Sequence, residues 1–185
     1  MRIAVYSGSF NPLHIGHLAI LEALSGREDI DWTYLVVSPQ NPLKGADSVL
    51  SGKERYLAAL AALQRHPGLR VWLDDIELRM PPPSYTIRTL DTLRRQEPEN
   101  TFTLVIGGDN LAGIRRWKDY QRILTEYGVA VYPRWGYDSE ALRAELLSED
   151  PSYQIRLLDC PLVDISSTQI RESLLRGEDV QAWLM

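Results

Sequence analysis

Short apolar runs alternate with longer amphipathic segments along most of the chain. The apolar runs are rich in β-branched residues and are bounded by turn-forming residues, which is typical of buried strands. The pattern predicts strands at Ile3–Ser7, Tyr34–Ser38, Val71–Ile76, Phe102–Ile106, Val129–Tyr132 and Gln154–Leu158. The amphipathic segments predict helices at His17–Leu24, Lys53–Arg65, Tyr85–Gln96, Tyr120–Glu126, Glu140–Leu147 and Ser167–Leu175, with a last short helix within 178–184.

This alternation of strands and helices predicts an α/β fold. We expect a Rossmann-like, doubly wound, mostly parallel sheet of about five to six strands, covered by helices on both faces. Residues 1–185 contain no repeat, low-complexity tract or linker, and we expect a single domain. Residues 40–50 lack periodicity and predict a surface loop. Ligands of such sheets bind outside the carboxyl ends of the strands, so the chemistry should lie just after each strand.

The composition narrows the classes of function. The net charge of -5 argues against a general nucleic-acid binder, which needs a basic surface. The single cysteine, Cys160, excludes an intramolecular disulfide and a cysteine zinc cluster. The longest apolar run, 56–63, is too short to span a membrane. We therefore expect a cytoplasmic protein without a nucleic-acid or membrane partner.

Two of the chain's three histidines follow the first predicted strand, in the stretch GSFNPLHIGH. Gly8, which precedes Ser9 and Phe10, allows a close approach of the backbone to a ligand, and the helix start that follows offers free N–H groups to a phosphate. His14 and His17 lie three positions apart and face the same side, so both imidazoles can donate hydrogen bonds to a phosphoryl group. The alternative is that one histidine caps the helix and the other packs in the core.

Two glycines and an acid follow the fourth predicted strand. Gly107 and Gly108 suit a backbone pressed against a ligand, and Asp109 would hold a sugar hydroxyl or bind through water. The alternative for Asp109 is that it caps the next helix. Trp117, a few residues later, is either part of the core or a stacking platform for a flat ring.

Three hydroxyl residues precede the last long helix, in the stretch Ile165-Ser166-Ser167-Thr168, and Arg171 follows one turn later. Hydroxyls and free N–H groups suit phosphate oxygens, and a guanidinium suits their charge. The alternative is a simple helix cap with Glu172 nearby. One helix start can serve both purposes.

Two of these stretches resemble the motifs of the nucleotidylyltransferase superfamily. Residues 8–17 resemble G-x-F-[DN]-P-x-H-x-G-H, and residues 165–171 resemble I-S-S-T-x-I-R. Residues 39–44 resemble the substrate loop of one of its families, the bacterial nicotinate mononucleotide adenylyltransferases, whereas Arg88 departs from the acidic residue more usual there. Further stretches that resemble this family are Ser84-Tyr85-Thr86, Gly107-x-Asp109-Asn110-Leu111 followed by Trp117, and Arg134 with Gly136-Tyr137.

The resemblance implies that an adenylyl group passes from ATP to nicotinate mononucleotide, giving deamido-NAD and pyrophosphate in NAD biosynthesis. It implies catalytic roles for His14 and His17, as hydrogen-bond donors to the α-phosphate, and for Arg171, as a holder of the departing phosphates. The ATP-binding residues that it implies are Gly8, Ser9, Phe10, His14, His17, Gly107, Asp109, Ile165, Ser166, Ser167 and Arg171.

The resemblance also implies a mononucleotide site. Trp117 would stack on the pyridine ring, and the backbone at Tyr85 and Thr86 would receive the nicotinate carboxylate. The mononucleotide-binding residues that it implies are Lys44, Tyr85, Thr86, Asp109, Trp117 and Arg134. We expect Mg²⁺ as cofactor, bound mainly through the ATP phosphates rather than by a metal site of the protein.

Alternatives stay open within the superfamily and outside it. The acceptor could be nicotinamide mononucleotide, which differs by one amide, or phosphopantetheine. The non-enzyme alternative is a nucleotide-sensing domain, against which the two histidines and Arg171 argue, since a pure binder has less need of donors to a transition state. Self-association is also left open.

Overall fold

The computed structural model describes residues 1–39 and 50–185, and within them six parallel strands form one sheet. The strands are β1 (Arg2–Gly8), β2 (Trp32–Val37), β3 (Val71–Asp74), β4 (Thr101–Gly107), β5 (Val129–Tyr132) and β6 (Ile155–Leu157). Their order in the sheet is β3-β2-β1-β4-β5-β6. The sheet is doubly wound, because the chain moves outward from β1 in one direction and from β4 in the other. The predicted fold class is confirmed.

Helices connect the strands and cover both faces of the sheet. They are α1 (Ile15–Ser25), α2 (Gly52–Gln64), α3 (Ile76–Arg79), α4 (Thr86–Gln96), α5 (Gly108–Ala112), α6 (Tyr120–Arg122), α7 (Ser139–Glu149) and α8 (Ser167–Leu175). Short 3-10 turns lie at Ile114–Arg116 and Gln181–Trp183, and one π-helical turn lies at Ile123–Tyr127. Within the described residues, no helix has the length and apolar character needed to cross a membrane.

Some predicted boundaries were wrong for local reasons. The third strand ends at Asp74 rather than Ile76, because the Asp74 carboxylate accepts a hydrogen bond from the Ile76 N–H at 2.7 Å and turns the chain into α3. The first helix begins at Ile15, two residues before the predicted start. Of the predicted helix at 178–184 only a 3-10 turn forms, and the predicted loop at 40–50 lies almost wholly outside the described residues.

Each face of the sheet packs a separate apolar cluster. On β1, Ile3 and Val5 point into one cluster, whereas Ala4 and Tyr6 point into the other. A strand covered on both sides has no polar face, which explains the near-continuous apolar sequence of β2. The two clusters fix the strands and hence the positions of their carboxyl ends.

The functional crevice follows from the strand order. β1 pairs with both β2 and β4, so the chain changes its direction of winding between β1 and β4. The loops after these two strands diverge to opposite sides and leave a crevice between them, which is where ligands of open α/β sheets bind. Gly8 and Gly107, the last residues of the two strands, lie at this crevice.

Candidate active site

A cavity of about 1060 Å³ opens at the carboxyl ends of β1, β4 and β5. It is lined by the loop after β1, the start of α5, the segment after β5 and the start of α8. The predicted site residues that line it are Gly8, Ser9, Phe10, His14, His17, Asp109, Arg134, Ile165, Ser166, Ser167 and Arg171. The two motifs from opposite ends of the chain therefore share one cavity.

His14 and His17 cap α1 reciprocally. His14 is the N-cap residue, and its Nδ1 accepts a hydrogen bond from the Gly16 N–H at 3.1 Å. His17 Nδ1 in turn accepts from the His14 N–H at 3.1 Å. The capping alternative is thus realised, and it has a chemical consequence. A neutral imidazole that accepts at Nδ1 carries its proton on Nε2, so each ring keeps one N–H donor.

The two imidazole rings stack, with their centroids 3.7 Å apart. This packing explains the glycine between them, because a Cβ at Gly16 would lie 2.9 Å from His14 Cε1. Any larger residue would displace the His14 ring from the start of the helix.

Both histidines are held neutral. Burial, followed by the charge of Arg134, lowers the pKa of His14 to about 4. Burial, the neighbouring His14 and Arg134 lower the pKa of His17 well below its usual value. At neutral pH the pair therefore presents hydrogen-bond donors rather than cations or strong bases.

Phe10 fixes the loop that leads from β1 to the histidines. Its backbone adopts φ 46°, a left-handed conformation that is rare for an aromatic residue. The ring packs edge-on against Tyr6 and His17, with centroid distances of 5.3 and 5.2 Å. A strained backbone conformation persists only where the surrounding structure enforces it. Here the strained conformation of Phe10 keeps its ring packed against the His17 ring.

The start of α8 is tied directly to the loop after β1. The Ser167 hydroxyl donates to the Pro12 carbonyl at 2.9 Å, and Arg171 Nη1 donates to the Asn11 carbonyl at 2.7 Å. Ser166 is the N-cap and forms a capping box with Gln169, not with the Glu172 named in the capping alternative. The open end of α8, which favours anions, therefore lies on the same cavity as the histidines.

Asp109 and Arg134 stand on the opposite wall, after β4 and β5. Arg134 Nε lies 3.7 Å from Asp109 Oδ1, which is buried and has no hydrogen-bond partner in the described part of the chain. Asp109 does not cap α5, whose N-cap is Gly107. A Cβ on Gly107 would lie 2.4 Å from the same carboxylate oxygen, so glycine is needed for Asp109 to turn toward the cavity.

The predicted residues of the pyridine site do not line this cavity. Tyr85 precedes α4, and the N–H groups of Thr86 and Ile87 in its first turn have no hydrogen-bond partner among residues 1–39 and 50–185. Trp117 is half-buried and packs against the core, so the packing alternative holds at least for part of its surface. Lys44 lies outside the described residues.

Sequence reasoning missed one prominent residue of the cavity wall, Arg55 on α2. It is 1% exposed, and its Nη1 donates to the carbonyls of Ser9 and Ser38, each at 2.7 Å. The signal was present, because Arg55 shares a helical face with the buried Ala59 and Ala62. Because Arg55 lies four and seven positions before these two alanines, it faces the core with them, and its guanidinium is buried.

The carboxylate content of the site bears on metal binding. Within the described ranges, no group of three or more His, Cys, Asp or Glu side chains could hold a metal ion. Asp109 and Asp164 are carboxylates that line the cavity, and the Asp109 Oδ1 atom has no hydrogen-bond partner in the same ranges. Such a site fits an ion that brings most of its ligands with the substrate, as magnesium does when it is bound to nucleotide phosphates.

Comparison with known proteins gives a consistent picture. Residues 5–173 match the family model described as cytidylyltransferase-like. A protein of Flavobacterium johnsoniae, named as a probable nicotinate-nucleotide adenylyltransferase, is 36% identical over 184 residues, covering 100% of this chain and 92% of the relative. A protein of the same name from Porphyromonas gingivalis is 39% identical and covers 100% of this chain and 89% of the relative.

The fold comparison agrees. The solved structure of Plasmodium falciparum nicotinic acid mononucleotide adenylyltransferase complexed with NaAD superposes with a TM-score of 0.79. The alignment covers 99% of this chain and 90% of that one, at 20% sequence identity. At that identity the likeness concerns the fold alone.

Proposed function

The chain belongs to the cytidylyltransferase-like family and, within it, to the nicotinate-nucleotide adenylyltransferases, and we propose that His14, His17 and Arg171 carry its adenylyl transfer. The enzyme is a nucleotidyltransferase of NAD biosynthesis. It joins the AMP part of ATP to nicotinate mononucleotide and releases pyrophosphate. We propose that residues 1–185 act as one catalytic domain.

The reciprocal capping of the two histidines is the observation that carries this proposal. Because each Nδ1 is occupied by a backbone N–H, each Nε2–H is left as a donor on a cavity that α8 also faces. Two neutral donors side by side suit the α-phosphate of ATP, where negative charge builds up in the transition state. A buried cationic pair would instead repel itself and Arg134.

The start of α8 is proposed to hold the β- and γ-phosphates. Ser166 and Ser167 lie at its start and Arg171 one turn later, on the same cavity as the histidines. Arg171 keeps one nitrogen on Thr168 and another on the Asn11 carbonyl, which fixes the guanidinium rather than leaving it free in solvent. A fixed cation stabilises the charge that leaves as pyrophosphate. Gly8, Ser9, Phe10 and Ile165 would border the rest of ATP.

The opposite wall is proposed to receive the mononucleotide. Arg134 lines the same cavity and lowers the pKa of both histidines, which supports a role for its charge beside the phosphate of the mononucleotide. Asp109, whose Oδ1 has no hydrogen-bond partner in the described part of the chain, is suited to a ribose hydroxyl. The N–H groups of Thr86 and Ile87, which have no partner within the described ranges, suit the nicotinate carboxylate, beside which Trp117 would stack on the ring. Lys44 stays a predicted phosphate contact.

The reaction needs no nucleophilic side chain. A phosphate oxygen of the mononucleotide attacks the α-phosphorus, a new P–O bond forms, and the bond from that phosphorus to the bridging oxygen of pyrophosphate breaks. The chain's contribution is to bring two anions together and to stabilise the added charge. Magnesium, which we propose as cofactor, would bind mainly through the ATP phosphates and neutralise part of their charge. Asp109 and Asp164 are carboxylates that line the same cavity.

Pyrophosphate release with a panel of phosphorylated acceptors tests this function. Nicotinate mononucleotide should support turnover, and nicotinamide mononucleotide and phosphopantetheine should support much less. Release with phosphopantetheine and none with nicotinate mononucleotide would overturn the substrate. Nicotinate mononucleotide differs from nicotinamide mononucleotide by its carboxylate, which we propose is bound by the N–H groups at the start of α4. The reaction with nicotinamide mononucleotide therefore tests that contact.

Two further predictions concern the protein in solution. We propose that it works in the cytoplasm, which its single cysteine suits, and fractionation of the source cells would decide this. Self-association stays a prediction, and light scattering during gel filtration would measure it.

A further inference from the structure

Glu77 on α3 is a buried carboxylate that the proposed reaction does not use. It is 4% exposed and forms no ion pair within the described residues. Its Oε1 accepts two hydrogen bonds, from the Ser7 hydroxyl and from the Thr89 hydroxyl, each at 3.0 Å. Thr89 is itself 1% exposed.

These two hydroxyls belong to different halves of the site. Ser7 immediately precedes Gly8, at the end of β1 that leads to the two histidines. Thr89 lies about one turn after Thr86. We propose that the N–H groups of Thr86 and Ile87 bind the carboxylate of the mononucleotide. The Oε1 atom of Glu77 therefore links the end of β1, next to the proposed ATP site, to helix α4, whose start we assign to the mononucleotide.

The contact continues to a third element. The Ser7 hydroxyl lies 2.8 Å from the Ser38 hydroxyl, directly after β2. The Ser38 carbonyl accepts from the buried Arg55 guanidinium. The polar chain thus runs from α4 through α3 to the ends of β1 and β2, across an otherwise apolar region.

Stability alone does not explain a carboxylate here. The residue before it, Ile76, is 2% exposed and packs in the core. Burying a carboxylate costs free energy that a well-packed apolar side chain would not, whereas hydrogen bonds fix one relative position of the elements they join. These hydrogen bonds instead fix the position of α4 relative to the end of β1.

We propose that Glu77 is a positioning residue that sets the distance between the two substrates. It acts through Ser7 and Thr89 and touches neither substrate. The inference rests on the proposed function, because the two half-sites are those assigned to ATP and to nicotinate mononucleotide. Loss of the Thr89 bond should let the start of α4 shift, while the strand ends and the histidines stay in place.

The test compares Thr89→Val with Thr89→Ser. Valine matches threonine in shape but lacks the hydroxyl, so the KM for nicotinate mononucleotide should rise about 3- to 10-fold while the KM for ATP stays within about twofold. Serine restores the hydroxyl and should restore both values. Glu77→Gln keeps an acceptor oxygen and should resemble the wild type, whereas Glu77→Leu should resemble Thr89→Val if it folds.

Thr92→Val is the matched control, because Thr92 lies on the same helix and its hydroxyl accepts a hydrogen bond from Arg95 at the surface. It should leave both KM values unchanged. Equal changes of the two KM values in Thr89→Val, or a lower melting temperature without any KM change, would overturn the positioning role. A wild-type chain that released no pyrophosphate with nicotinate mononucleotide would overturn the proposed function and this inference with it.

Discussion

His14 and His17 stack with ring centroids 3.7 Å apart, and each ring accepts a backbone N–H at Nδ1 within one helical turn. The two histidines form a capping box, in which each side chain accepts a hydrogen bond from a backbone N–H at the start of the helix. The remaining nitrogen of each ring is then committed as a donor. Local helix formation thereby fixes both donors before any ligand binds, as the proposed contact with the α-phosphate requires.

The tautomer is the first testable consequence. At pH 7 both rings should be neutral with the proton on Nε2, because Nδ1 accepts and burial disfavours the charged form. Two-dimensional ¹⁵N–¹H spectra of histidine-labelled protein distinguish the two tautomers. Spectra that showed Nδ1–H or a doubly protonated ring at either position would contradict the arrangement.

The pH dependence of stability is the second consequence. An unfolded histidine has a pKa of about 6.5, whereas His14 in the folded chain has a pKa of about 4. Between these values the unfolded state binds a proton that the folded state does not, so the free energy of unfolding should fall as the pH decreases from about 6.5 to about 4. Above that window the group should contribute no slope.

Denaturant titrations of the wild type and of His14→Asn at several pH values isolate this contribution. Asparagine is a good N-cap but does not titrate, so the variant should lose stability less steeply on acidification. The comparison between the two proteins is needed because carboxylates such as Asp31, whose pKa Arg2 lowers, titrate on the acidic side as well. Identical slopes in the two proteins would refute the shifted pKa of His14.

Trp117 gives the third prediction. Trp117→Ala should weaken binding of nicotinate mononucleotide far more than binding of ATP, because we propose that the Trp117 ring stacks on the pyridine ring. Isothermal titration with each substrate measures the two affinities. Trp72→Ala is the matched control, since Trp72 is 62% exposed on the edge strand β3. Equal losses for both substrates would mean that Trp117 serves the core alone.

Arg55 gives the fourth prediction. Arg55→Met keeps an apolar stem but leaves the carbonyls of Ser9, Ser38 and Leu50 without their donor. The free energy of unfolding should fall by about 2–4 kcal/mol, since several hydrogen bonds from a buried charged donor are lost and part-buried carbonyls lose their partner. Arg95→Met, which removes an exposed arginine, should cost little. A loss below about 0.5 kcal/mol for Arg55→Met would show that the carbonyls find other partners.

The sequence predicted the parts of the molecule that local pattern determines. Apolar runs located all six strands, although the third was placed two residues too long, because a side-chain bond of Asp74 ends it. The cluster at His14 and His17 was found because rare residue types recur at helical spacing beside glycine and proline. These features depend on neighbours within a few positions, which a single sequence displays.

The contacts that complete the cavity are long-range and could not be predicted. The bond from Ser167 to the Pro12 carbonyl joins residues 155 positions apart and involves a backbone atom that any residue would offer. Glu77 looks like an ordinary surface acid of a short helix until the end of β1 is packed against it. The sequence therefore predicted phosphate-binding residues near both ends of the chain. That these two stretches line one cavity became apparent only from the folded structure.

The turnover of His17→Ala shows whether the histidine pair acts on the α-phosphate. We expect this variant to keep its fold by circular dichroism and to release pyrophosphate about 10²–10³ times more slowly with ATP and nicotinate mononucleotide, because a donor to the transition state is lost. His66→Ala, which changes the one histidine outside the cavity lining, should retain wild-type turnover. Near wild-type turnover of His17→Ala would contradict the assignment of the histidine pair to the α-phosphate.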